Sequence, residues 1–486
     1  MVELLTVLIL VFYFTFLYLI SKLTKGNEDN DTFFLGKRKS PWYIVAYGMI
    51  GVSLSGITFL SVPGWVKAKE FYYMQMVLGF VPGYFFVAYV LMPIYYRMKL
   101  YSIYEYLKDR FGYFSHKSGA FYFFLSRTLG ASLRLFLVAK VLDTLFFNSL
   151  NIPFFVTTLL TIFLIWLYTH RGGIKTIIWT DTLQTTFMLS TVFVCIYVIF
   201  KDLGYTSISQ SINQNQLDLN VFLFNDFNDG RNFFRYFFSG MFISIAMTGL
   251  DQDMMQKNLS CKNIKEAQRN MVWFSLVLVF VNLLFLYLGA LLYEYAFVNN
   301  IVAEGDNLFV GIIKSEKLGI FVFVTFLLGL MSAAYSSADS ALTSLTTSFC
   351  VDFLEMKTKD NGRVNMLKRK RVHLFISFLL VLVILMVNYL NNDNIISTLF
   401  TLASYTYGPL LGLFFFGIFT KRNIYDNYVP VVVVVSPILT YLLSEYDQSL
   451  INFDFGYELL IVNGLITFLG LFMISKSMSG LSDLKG

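Results

Sequence analysis

Long apolar runs alternate with short polar connectors from one end of the chain to the other. A hydrocarbon core about 30 Å thick, crossed at about 1.5 Å per helical residue, asks for roughly 20 apolar residues. The pattern predicts thirteen helical spans, at about 2–21, 43–66, 72–96, 119–148, 153–169, 176–200, 234–252, 272–298, 318–353, 372–390, 395–420, 428–445 and 457–475. None shows the two-residue alternation over ten-residue segments that marks a membrane barrel. The first run, Leu4–Ile20, has no basic residue before it and no small-residue cleavage site after it. It reads as a retained helix rather than a signal peptide.

Composition agrees. Of 486 residues 56% are hydrophobic, 18% aromatic and only 14% charged, against about 25% charged in a soluble domain. The chain is read as an all-α polytopic membrane protein. Its net charge of +6 is no sign of nucleic-acid binding, because the basic residues sort by side. The loops after odd-numbered spans, with the tail, hold 27 Lys and Arg, whereas the opposite loops hold 7. The basic side is cytoplasmic, which puts the N-terminus outside and the C-terminus inside a cell (inner) membrane. In this sorting Lys257 falls in a cytoplasmic loop. Cys195, Cys261 and Cys350 show neither metal spacing nor a disulfide framework. His116, His170 and His373 each lie near a helix end, which favours interfacial placement over catalysis.

One polar stretch stands out against this background: Gly329 to Ser344, inside the 318–353 span, carries Asp339 among Ser332, Ser336, Ser337, Ser340, Thr343 and Ser344. A mid-membrane Asp costs roughly 3 kcal/mol by insertion scales. Ala333, Ser336, Ser337 and Ser340 recur at i, i+3, i+4 and i+7 and so share a helix face. Such a face offers hard oxygen ligands that suit a small hard cation; close helix packing accounts for the serines equally well but poorly for Asp339.

Span 2 crowds Gly48, Gly51, Ser53, Ser55, Gly56, Thr58 and Ser61 ahead of Pro63-Gly64. That predicts an unwound centre with inward carbonyls, or else a small-residue packing seam. Span 7 repeats the theme with Ser239-Gly240, Ser244 and Thr248-Gly249. Interrupted segments at matching places in two halves point to an inverted-repeat transporter and its binding site. Span 4 contains Arg127 and Arg134 on one face, readable as an anion partner or as a structural ion pair. Asp181, early in span 6, is either an interfacial acid or a partner for Ser336 to Ser340. The 202–233 connector is rich in Asn and Asp without a catalytic constellation, and no phosphate-binding GKS or GKT run occurs. No enzymatic activity is expected.

These motifs resemble the sodium/solute symporter family, whose members carry glucose, proline, pantothenate, choline or sialic acid with sodium. The strongest matches are Gly172-Gly173-Ile174-Lys175 with Trp179-Thr180-Asp181-Thr182-Leu183-Gln184, and Ala333-Ala334-Tyr335-Ser336-Ser337-Ala338-Asp339-Ser340. Tyr104-Glu105-Tyr106-Leu107 with Arg110-Phe111-Gly112, Asp251-Gln252 with Gln256-Lys257, and Gly408-Pro409 with Gly417-Ile418-Phe419 support them. The resemblance implies a five-plus-five inverted repeat of the leucine-transporter type. An extra helix and loop would occupy 1–42, the first repeat 43–200, an extracellular loop 201–233, the second repeat 234–426, and C-terminal helices and tail 427–486. It implies a sodium site at Gly51, Leu54, Ala333, Ser336 and Ser337, and a second cation at Asp181, Ser336, Asp339 and Ser340. A substrate set of Ser53, Ser55, Thr58, Phe71, Gln75, Arg134, Ser244 and Met247 is similar to that of sialic acid carriers.

No Lys lies between Met271 and Tyr293, and Met247 stands at the expected gate, which turns the reading away from sugars. The likeness of the polar set to that of sialic acid carriers and the arginine within span 4 turn it towards a carboxylate-bearing solute. The expected partners are a small solute, co-transported Na+ and the bilayer, with no organic cofactor, no nucleic acid and no required oligomer. A neutral-solute symporter, proton coupling through Asp181 and Asp339, and a non-transporting sensor on the same fold stay open at this point.

Overall fold

A computed structural model describes residues 2–24, 29–148, 151–356, 363–390, 395–446 and 453–476. Lys25, Lys357, Lys359 and Lys485, counted above in the basic loops, lie outside them. Among the described residues every regular element is a helix, with isolated bridges at Ser40–Cys261 and Ile424–Ser475 in place of strands.

Among the described residues nine helices are long and apolar enough to cross a membrane, or eleven if each of two bent pairs is one crossing. We number the principal helices α1 (Val2–Thr24), α2 (Trp42–Leu54), α3 (Gly56–Lys69), α4 (Tyr73–Met98), α5 (Tyr113–Leu142), α6 (Phe154–His170), α7 (Gly173–Asp202), α8 (Phe233–Gly249), α9 (Gln252–Leu259), α10 (Ile264–Val298), α11 (Gly319–Phe353), α12 (Arg363–Leu390), α13 (Ile395–Phe419), α14 (Val429–Glu445) and α15 (Leu459–Met473). Large apolar side chains stay exposed along the outer faces, such as Leu8, Val11 and Phe12 of α1 and Val431, Val434 and Ile438 of α14. Lipid is the solvent those faces fit, and the protein is a multi-pass membrane protein.

The centre belongs to α11, where every residue from Gly329 to Ser348 is buried. Its hydroxyls and Asp339 therefore meet protein on all sides. Around it pack α7, α5, α2 and α3. The α6–α7 boundary falls at Gly173, whose φ of 52° breaks an otherwise continuous helix. A Cβ there would sit 2.5 Å from the Phe33 carbonyl oxygen, so a side chain is excluded by space as well as by backbone conformation.

Two breaks frame the interior. α2 and α3 meet at Ser55, with φ 23° and ψ 168°, and diverge by 55°. This is the interruption expected in span 2. α8 and α9 diverge by 64° across Leu250 and Asp251. The Asp251 carboxylate accepts the Asp253 N–H at 2.8 Å and so caps α9.

The structure corrects two placements. Lys257 is in no loop: it sits in α9 with 1% exposure. His116 and His373 are buried rather than interfacial. His116 Nε2 lies 2.9 Å from Asp352 Oδ1, and His373 bridges Thr169 and Thr346.

Candidate ion and solute site

A helix end leaves its last four carbonyls without intrahelical donors. At the end of α2 those carbonyls include Gly51 and Leu54, and the abrupt turn at Ser55 removes the residues that would have bonded them. Gly56, just beyond, lies against α11: a Cβ on it would stand 3.6 Å from the Ala334 Cα. The broken segment and the Ala333–Ser337 turn are thus neighbours, with Leu54 and Ser337 each 1% exposed. Ser337 Oγ donates to the Ala333 carbonyl at 3.1 Å, and Ser336 Oγ donates to Asp181 Oδ1 at 2.7 Å. Each hydroxyl has placed its proton and keeps lone pairs for a cation.

The quartet expected for a second cation is arranged differently. Asp181 does face Ser336, across the α7–α11 contact, but its other oxygen lies 2.7 Å from Lys257 Nζ. Asp339 Oδ2 accepts from the Tyr168 hydroxyl at 2.9 Å. Ser340 donates to Asp253, which in turn pairs with Arg127. Asp181 and Ser336 are thus bonded to each other, whereas Asp339 and Ser340 are aimed at partners outside the quartet.

A cavity of about 120 Å³ opens beside the first break. Ser53, Ser55, Thr58, Arg134, Ser244 and Met247 all line it. Phe71 and Gln75, expected with them, do not. Gln75 is fully buried and turned to the connector between α7 and α8, accepting from Leu223 N–H at 3.0 Å and donating to the Arg231 carbonyl at 2.8 Å. Phe71 is buried at the same edge, where its N–H bonds the Asn220 carbonyl at 3.1 Å. Both serve the loop because the polar backbone of a segment laid over the helices needs partners.

Lining residues absent from the expected set include Arg127, Trp65, Tyr73, Thr248 and Asn282. Thr248 and Asn282 had a signal, being polar groups within apolar spans. Trp65 and Tyr73 had none, since aromatic residues at helix ends are common at membrane interfaces.

The two arginines part company here. Arg127 pairs with Asp253, with Asp251 Oδ2 at 3.9 Å. Arg134 also lines the cavity, but has no hydrogen-bonded or ion-paired partner among the described residues. A guanidinium without a protein acceptor, facing a hollow lined by hydroxyls, is suited to a carboxylate.

Known proteins resemble this chain over most of its length. The sodium/sialic acid symporter NanT of Aliivibrio fischeri is 24% identical over 467 residues, covering 91% of this chain and 88% of its own. The sodium/sialic acid symporter SiaT of Proteus mirabilis is 24% identical over 445 residues, covering 89% and 88%. The fold is similar to that of a Na+-coupled sialic acid symporter solved substrate-bound and outward-open, with a TM-score of 0.80 at 21% identity, over 97% of this chain and 99% of that one. The sequence model of the sodium:solute symporter family matches residues 33–425, and the chain belongs to that family.

Proposed function

We propose that the protein is a secondary active symporter that imports a carboxylate-bearing small organic solute, such as a sialic acid, together with sodium. The observation that carries the solute class is Arg134, which presents an unpartnered guanidinium to the cavity. Sodium binds at the α2–α11 junction, to carbonyls of Gly51, Leu54 and Ala333 and the hydroxyls of Ser336 and Ser337. The solute binds next door, to Ser53, Ser55, Thr58, Ser244, Met247 and Arg134. A membrane potential supplies about 2.3 kcal/mol per charge per 100 mV.

The architecture proposed with this is thirteen crossings. Counting each bent pair and each of the shorter apolar helices α6 and α15 as one crossing brings the total there, which supports the reading. The breaks at 55 and 250–251 mark corresponding points of a five-plus-five inverted repeat, 43–200 and 234–426. The N-terminus is outside and the C-terminus in the cytoplasm of the cell (inner) membrane.

Uptake of labelled N-acetylneuraminic acid into proteoliposomes tests the function. An inward sodium gradient should raise the initial rate about tenfold or more over an equal potassium gradient, and Arg134→Met should abolish the difference. Equal uptake in both gradients would remove sodium coupling. Sodium-driven uptake of a neutral solute, unaffected by Arg134→Met, would remove the carboxylate.

A further inference from the structure

A second cation at Asp181 would need space that this chain gives to its own side chain. Lys257 Nζ lies 2.7 Å from Asp181 Oδ2, both residues 1% exposed. The opposite oxygen of that carboxylate already accepts from Ser336. Asp339 is within electrostatic reach of the same ammonium, and the Ser340 hydroxyl is committed to Asp253.

The ammonium is also held from behind. α9 is capped by Asp251, and Gln256 beside Lys257 donates to the Phe34 carbonyl at 2.7 Å and to Thr347 Oγ1 at 2.9 Å. A pinned short helix therefore delivers a unit positive charge to the place a mobile ion would take. Sodium entering there would meet a like charge a few ångströms away in a water-poor interior, where such repulsion is strongest.

We infer that the Lys257 ammonium is the resident cation of this second site, so that the protein binds one sodium ion per transport cycle and Lys257 sets that number. The inference rests on the proposed sodium coupling and deepens it. Being covalently held, the ammonium neutralises Asp181 in every state of the cycle and draws nothing from the sodium gradient. Take it away and two buried carboxylates, with Ser336 and Ser340, become a hard-oxygen set lacking a cation.

Radioactive sodium binding to purified full-length protein in detergent, by scintillation proximity, reads the stoichiometry directly. Wild type should saturate at one sodium per chain with a Hill slope of about 1. Lys257→Gln should saturate at two with a steeper slope, and adding Asp181→Asn to it should return the count to one. Two ions on wild type, or one on a monodisperse Lys257→Gln protein, overturns the inference and leaves sodium coupling standing. No sodium on wild type overturns both. Should Lys257→Gln fail to fold, the wild-type count decides alone.

Discussion

Arg127 and Arg134 stand seven residues apart on one face of α5, but among the described residues Arg127 is ion-paired and Arg134 is not: Asp253 pairs with Arg127 and Asp251 lies at 3.9 Å from it. Removing one member of a buried ion pair leaves the other charge uncompensated and costs about 3–5 kcal/mol. Arg127→Met should therefore lower the thermal midpoint of the purified protein markedly, whereas Arg134→Met should leave it near wild type while losing solute binding. The paired measurement is a detergent thermal melt and a solute titration on each variant. Equal thermal losses would mean that Arg134 is structural too. From sequence these two residues look alike, because their difference lies in acids more than a hundred positions away. Lys257 was misplaced for the same reason. The Gln252–Leu259 segment is polar enough to read as a loop, and its burial depends on Asp181, Phe34 and Thr347. Asp181 as a partner of Ser336, by contrast, was one of two readings the sequence offered, since a carboxylate and a hydroxyl face inside apolar spans both call for compensation; the hydrogen bond between them decides it.

Helices in lipid gain from close backbone approach, because lipid tails give apolar side chains no reason to prefer protein over bilayer. Span 2 offered two readings, a broken helix or a small-residue seam, and both hold on different residues. Gly48 and Gly51 are the seam: a Cβ would lie 3.0 Å from the Asp181 Cβ at the first and 2.3 Å from Thr185 Oγ1 at the second. Ser55 is the break. A second seam joins α4 to α8, where a Cβ on Gly79 would fall 2.0 Å from the Phe237 carbonyl oxygen and one on Gly240 2.2 Å from that of Met76. No rotamer change relieves a clash with backbone. Gly79→Ala should push α8 outward and cost about 1–3 kcal/mol, read as a lower thermal midpoint in detergent. Because α8 carries Ser244 and Met247 into the cavity, solute affinity should fall with it. An unchanged midpoint would show that the two helices do not approach this closely. The sequence marked Gly240 in span 7 but neither Gly79 nor the pairing of the two, since isolated glycines in apolar runs do not reveal which helix they face.

At the scale of the whole molecule, the proposed ion and solute sites share one element. The α2–α3 break lines the cavity with Ser53, Leu54 and Ser55, and in the proposal it also supplies the carbonyls of Gly51 and Leu54 to sodium. An ion that fixes this turn against α11 also fixes the cavity wall, so each ligand should bind better in the presence of the other. Linkage requires the two enhancements to be equal. Couplings of this kind are worth typically about 1–3 kcal/mol, or roughly 5- to 150-fold in affinity. Ser337→Ala separates the two sites, because Ser337 belongs to the sodium set and does not line the cavity. Among the described residues its hydroxyl bonds only carbonyls of its own helix, at 3.1 Å and 3.4 Å, so its loss should leave the fold intact. The variant should bind sodium about tenfold or more weakly. Its solute affinity should be poor at low sodium and return to the wild-type value at saturating sodium. Isothermal titration with N-acetylneuraminic acid at low and high sodium measures both. A solute affinity that ignores sodium in wild type would separate the two sites and leave the break without a role in coupling. A defect that persists at saturating sodium would instead place Ser337 in the solute's own contacts.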